Sequence, residues 1–81
     1  MNKRKHKLER IIRFEYTLFN TLCYPKGKSL IILQHIANLL YFKVWYLYDI
    51  GSISDDEKNF MINCNNFYYL YYHNYIDRIY Y

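Results

Sequence analysis

A chain of 81 residues buries only a thin core, which excludes a large enclosed active site and leaves long apolar helices short of cover. The formal charge of +4 is concentrated. Residues 1–13 carry six Lys/Arg against Glu9 and the remainder is nearly balanced, so a basic surface over the whole molecule is excluded and an acidic contact at one end is expected.

Pro25 with Gly27 in YPKGK, and Gly51 in DIGSIS, divide the chain into three long segments. The spacing predicts an all-α fold, a small three-helix bundle with helices near residues 3–23, 29–49 and 54–79 and short connections between antiparallel neighbours.

The first segment begins MNKRKHKLERIIRF. It lacks the continuous apolar run and small-residue cleavage site of a secretion signal. Leu8, Ile11, Ile12, Leu18, Phe19, Leu22 and Cys23 fall on one helical face, with Glu15 among them. That carboxylate is expected to snorkel or to accept a hydrogen bond from a buried tyrosine, because no second acid or base is spaced to work with it. Lys3, Arg4, Lys5, Lys7, Arg10 and Arg13 are the candidate contacts to phosphate or to an acidic partner. Cys23 and Cys64 match no CxxC spacing and are expected as free thiols in a reducing compartment.

Gly27-Lys28-Ser29 has the ending of a phosphate-binding loop, but the required earlier glycine is Leu22, Pro25 lies inside the stretch and the preceding element is helical. The second segment, SLIILQHIANLLYFKVWYLYDI, is apolar almost all round. Ser29 is expected as its N-cap and Gly51 just past its end. Leu33, Ile36, Ala37, Leu40, Val44 and Leu47 form its core stripe, while Ile31, Phe42, Trp45 and Tyr46 point away. Residues 33–52 resemble a helix-turn-helix frame in their apolar positions. Tyr41 stands at the usual glycine, however, and FKVWYLYD offers one Lys for a nucleic acid, so that reading is set aside. Leu30–Tyr48 has the length and aromatic end of a membrane span, against which stand Gln34, His35, Asn38 and Lys43.

The third segment opens with Ser54-Asp55-Asp56-Glu57, a capping box with acids placed at the positive end of the helix dipole. It ends FYYLYYHNYIDRIYY. Asn, Lys, Ile, Tyr and Phe supply 42 of the 81 residues, as an AT-rich genome would favour, so the positions of the tyrosines inform more than their number. Phe60, Cys64, Phe67, Tyr71 and Tyr75 keep an uninterrupted helical spacing and are expected to face the bundle. Tyr69, Tyr72, Ile76 and Tyr80 are expected on the exposed flank, extended by Phe42, Trp45 and Tyr46 of the second helix. Residues 59–81 hold one cation, Arg78, so base stacking on this end has no phosphate contacts to support it.

His73 and Asp77 read as an exposed i,i+4 pair, and no catalytic constellation can be assembled by spacing. No metal or cofactor is expected. Two helices with more apolar surface than the bundle can cover point to a non-enzymatic protein-binding module. Its expected form is a small phage- or virus-like inhibitor or adaptor in the cytoplasm of a cell. It would meet a larger host macromolecule, or a second copy of itself, through a tyrosine-rich face. The alternatives are a nucleic-acid-binding protein using the basic first helix, and a subunit of an organellar membrane or ribosomal assembly.

Overall fold

A computed structural model describes residues 3–80, and the side chains of residues 3–79. It is a small all-α three-helix bundle: α1 (Lys3–Thr21), α2 (Lys26–Asp49) and α3 (Asp55–Tyr80), with no strand among the described residues. The chain runs up, down and up. Arg4 meets Glu57 and Tyr16 meets Asn65, so α1 and α3 run in the same direction. Lys58 meets Trp45 and Asn65 meets Ala37, so α2 runs against α3.

The ends of the helices follow local chemistry. At the α1–α2 connection, Pro25 (φ −58°, ψ 150°) supplies the extended residue from which a helix can start, and its carbonyl accepts the Ser29 N–H at 2.8 Å. This corrects the expected N-cap. Ser29 lies buried in the first turn of α2, with its hydroxyl donating to the Tyr24 carbonyl at 3.1 Å. At the other end Gly51 has φ +78°, a left-handed conformation open to glycine. Its N–H bonds the Tyr48 carbonyl at 3.0 Å, and the Ser52 N–H reaches back to Leu47 at 2.9 Å, the paired closure of a Schellman motif. The capping box forms as expected: Ser54 N–H donates to Glu57 Oε1 at 2.9 Å, and Glu57 N–H to Ser54 Oγ at 3.2 Å. The helix-turn-helix frame has no counterpart, because α2 passes through Tyr41 unbroken.

The core joins Leu8, Ile12, Tyr16 and Phe19 of α1 to Leu33, Leu40 and Val44 of α2 and to Met61 and Ile76 of α3, with Ile53 closing one end. The α2 stripe is the expected one. The other two faces are corrected. Leu18 of α1, and Leu22 and Cys23 just past its end, are exposed, and Tyr16, fully buried, takes the place they were expected to hold. On α3 the inward stripe is Met61, Asn65, Tyr68, Tyr72 and Ile76, each one residue past the expected Phe60, Cys64, Phe67, Tyr71 and Tyr75, of which Phe60 and Cys64 stay half-buried against the core. One residue is about 100° of rotation. Phe67, Tyr71 and Tyr75 therefore face outward, and Phe67 is 64% exposed.

A polar knot explains the rotation. The Tyr16 hydroxyl donates to Asn65 Oδ1 at 2.5 Å, and Asn65 Nδ2 donates to the Ala37 carbonyl at 2.9 Å, so one buried amide links all three helices. The Tyr16 ring lies between Tyr68 (centroids 5.6 Å apart, 22° between planes) and Tyr72 (6.0 Å, 3°), while Phe19 meets Tyr72 edge-on at 6.1 Å. A buried amide is tolerated where its donor and acceptor are both met, as they are here.

Candidate functional site

Three surfaces carry the chemistry that the chain offers outward. The first is the basic start of α1, which finds part of its acidic contact inside the chain. The Arg4 guanidinium donates to the Glu57 carboxylate and, at 2.6 Å, to the Ser52 carbonyl. Lys5 Nζ lies 2.7 Å from Asp56 and 5.5 Å from the centre of the Phe60 ring. The Ser54 backbone N–H and then Arg4 hold the Glu57 carboxyl below the usual carboxylate range. Arg13 lies 3.8 Å from Glu9, whose other oxygen accepts the Tyr68 hydroxyl at 2.5 Å. The carboxylate that accepts a tyrosine hydroxyl is therefore Glu9; Glu15, expected either to do so or to snorkel, is half-buried. Lys3, Lys7 and Arg10 are exposed.

The second surface is a groove on the side of the bundle away from α3. Both α1 and α2 lean mainly on α3 and meet each other over a smaller area, so they leave an open channel between them. One part, about 660 Å³, has Lys7, Arg10, Arg13 and Lys43 around Ile11 and Phe14. A smaller part, about 170 Å³, continues over Ile36, Leu39 and Leu40, sharing Glu15 and Lys43 with the first. By sequence Lys43 is the one cation of FKVWYLYD and an obstacle to a membrane span. Its place beside three α1 cations depends on how the helices pack, which no local pattern states.

The third surface is apolar. Ile31, Leu39, Phe42 and Tyr46 of α2, with Ile50 at its C-cap, form a row away from the core stripe, with Phe42 68% and Tyr46 62% exposed. On α3, Phe67, Tyr71, Tyr75 and Ile79 form a second exposed row. Of the residues expected at an interface, Phe42 and Tyr46 are presented as the spacing suggests. Trp45 is half-buried between α2 and α3. Lys58 Nζ sits 4.5 Å from its ring centre and 4.4 Å from that of Tyr48, and the buried indole Nε1 has no acceptor among the described residues. Tyr69 is half-buried, Tyr72 stacks on Tyr16, and Ile76, at 4% exposure, is core. Those three are corrections that follow from the rotation of α3. The side chain of Tyr80 lies outside those described.

Among the described residues no three His, Cys, Asp or Glu side chains gather as metal ligands, and His73 Nδ1 pairs with Asp77 at 3.5 Å. Cys23 is exposed and Cys64 half-buried, both free thiols. Burial, and then the Glu9 charge, push the Cys64 thiol up from its ordinary value. By length and composition α2 could cross a membrane, and little of it is buried inside the bundle. Compared with known proteins, the chain matches no family model, no curated protein and no solved structure.

Proposed function

We propose that this chain is a non-enzymatic protein-binding module, an adaptor or inhibitor of phage or viral type that docks on a larger macromolecule. One observation carries the reading: α2 has apolar residues on two opposite faces, and the bundle covers only one of them. The uncovered row, Ile31 to Tyr46 with Ile50 at the C-cap, presents five large apolar side chains along most of the helix and its end. A row of that kind is costly to leave in water and is characteristic of a surface that meets another protein. Tyr46 and Phe42 have the rigid, flat area that such contacts use.

The test compares the wild-type chain with the double variant Phe42→Asn/Tyr46→Asn. Both side chains leave the core untouched, so helicity and melting temperature should stay close to wild type. Association should not: a defined partner, or a second copy in light scattering at micromolar concentration, should be held by the wild type and lost by the variant. If neither kind of association distinguishes the two chains, the outer row of α2 is not an interface and the proposal fails.

The nucleic-acid reading keeps one observation in its favour, the gathering of Lys7, Arg10, Arg13 and Lys43 at one groove. Against it, Arg4 and Lys5 are engaged with the acids that open α3. If it holds, duplex binding in a gel-shift should weaken steeply with salt, and neutralising Arg10 and Arg13 should flatten that dependence.

A further inference from the structure

We infer that the groove between α1 and α2 receives an acidic amphipathic helix from a partner protein. The inference rests on the protein-binding reading above and names the kind of partner that one surface selects.

Two long helices that lean on a common third helix, and only lightly on each other, leave vacant the fourth position of a four-helix bundle. The vacancy here has an apolar floor. Ile11 and Phe14 come from α1, Ile36 and Leu39 from α2, and Phe14 and Leu39 are both well exposed. The α1 part of the groove runs from Lys7 to Thr17, which at about 1.5 Å per residue gives room for roughly three turns of an incoming helix. Such a helix would lay apolar residues at i, i+4 and i+7 on that floor.

The rim sets the charge of the partner. Lys7, Arg10 and Lys43 stand round the groove against Glu15, while Arg13, also on the rim, is partly engaged by Glu9 at 3.8 Å. An incoming helix with Asp or Glu beside its apolar stripe would place carboxylates within reach of both walls, which favours encounter and suppresses basic competitors. A nucleic acid suits the site less well. Its backbone has nothing to cover the aliphatic floor.

The experiment presents a displayed library of helical peptides, about four turns long with randomised surface positions, to the immobilised full chain. Enriched sequences should carry acids flanking an apolar i, i+4, i+7 stripe. Their affinity should fall at least tenfold for Arg10→Glu/Lys43→Glu, and recover when the peptide acids are replaced by lysine. Arg10→Gln/Lys43→Gln serves where the reversal disturbs folding and should give a smaller loss in the same direction. Phe14→Ser should weaken binding without altering its dependence on salt.

The proposal is overturned if no peptide is enriched, if the enriched set shows no acidic bias, or if charge reversal leaves binding unchanged. It is also overturned if a DNA duplex, or vesicles containing phosphatidylserine, bind in a salt-sensitive manner and lose that binding with Arg10→Glu/Lys43→Glu while the peptides do not. If the peptides fail but association through Phe42 and Tyr46 persists, the groove proposal falls and the protein-binding reading stands.

Discussion

Tyr16 is fully buried, yet its hydroxyl is satisfied only by Asn65, and Asn65 is the link to α2. Tyr16→Phe leaves Asn65 Oδ1 without its donor, and a buried acceptor so orphaned costs about 1–3 kcal/mol. Tyr16→Phe combined with Asn65→Leu removes both ends of the bond, so urea denaturation should show the double variant losing less than the sum of the two single losses. Alkali tests the same cluster. Burial first, and then the hydrogen bond to Glu9, push the Tyr68 phenol up to about 12 from an ordinary value of 10.0, and burial raises Tyr16 as well. The raised groups are acids whose neutral form the fold prefers. Their contribution is complete below pH 10.0, where both states hold the proton, and is lost as the pH climbs towards about 12 and the unfolded chain ionises. Melting temperature should fall across that window, and less steeply in Tyr68→Phe.

At the scale of the helix, the rotation of α3 decides which tyrosines are structural. Phe67→Ala should change stability by about 0.5 kcal/mol or less, because the ring is largely in water. Met61→Ala removes a fully buried side chain and should cost about 2–5 kcal/mol. Thermal melts of the two variants separate the observed rotation from the one that the uninterrupted apolar spacing suggests. Gly51 and the Ser54–Glu57 pair were legible because each acts on its own few residues. So was the α2 core stripe from Leu33 to Leu47, since Gln34, His35, Asn38 and Lys43 mark where it stops. The phase of α3 was not legible. Tyrosine and isoleucine surround that helix, so apolar spacing fits more than one face. The inward face also contains Asn65, a polar residue whose partners, Tyr16 and Ala37, come from the other two helices. The outer row of α2 could be read as surplus, but the cationic groove could not, because Lys43 and Arg10 come together only through packing.

Across the whole molecule, the principal extents are 41, 24 and 16 Å, and the radius of gyration is 13.5 Å. A domain of this length packed as a sphere would measure about 12 Å. Three helices enclose one thin core, and each keeps one side in water. Stability is uneven as a result. The contact of α2 with α3 is the larger, and α1 docks on the pair mainly along α3. Native-state hydrogen exchange should find the amides of α1 opening at a lower free energy than those in the facing turns of α2 and α3. Equal protection in all three helices would mean that the bundle opens only as a unit.

The distance along the chain between Tyr16 and Asn65, 49 residues, also matters while the protein is being made. At about 5–20 residues per second, α1 is synthesised about 2–10 s before the amide that anchors it. In that interval α3 cannot yet shield Ile12, Tyr16 and Phe19, and in the finished fold α2 meets α1 over little area. α1 thus leaves the ribosome well before the helix that carries most of its contacts. A translational pause within α3 would prolong the exposure of its apolar face, and with it the time in which a chaperone or another copy of the chain can bind there.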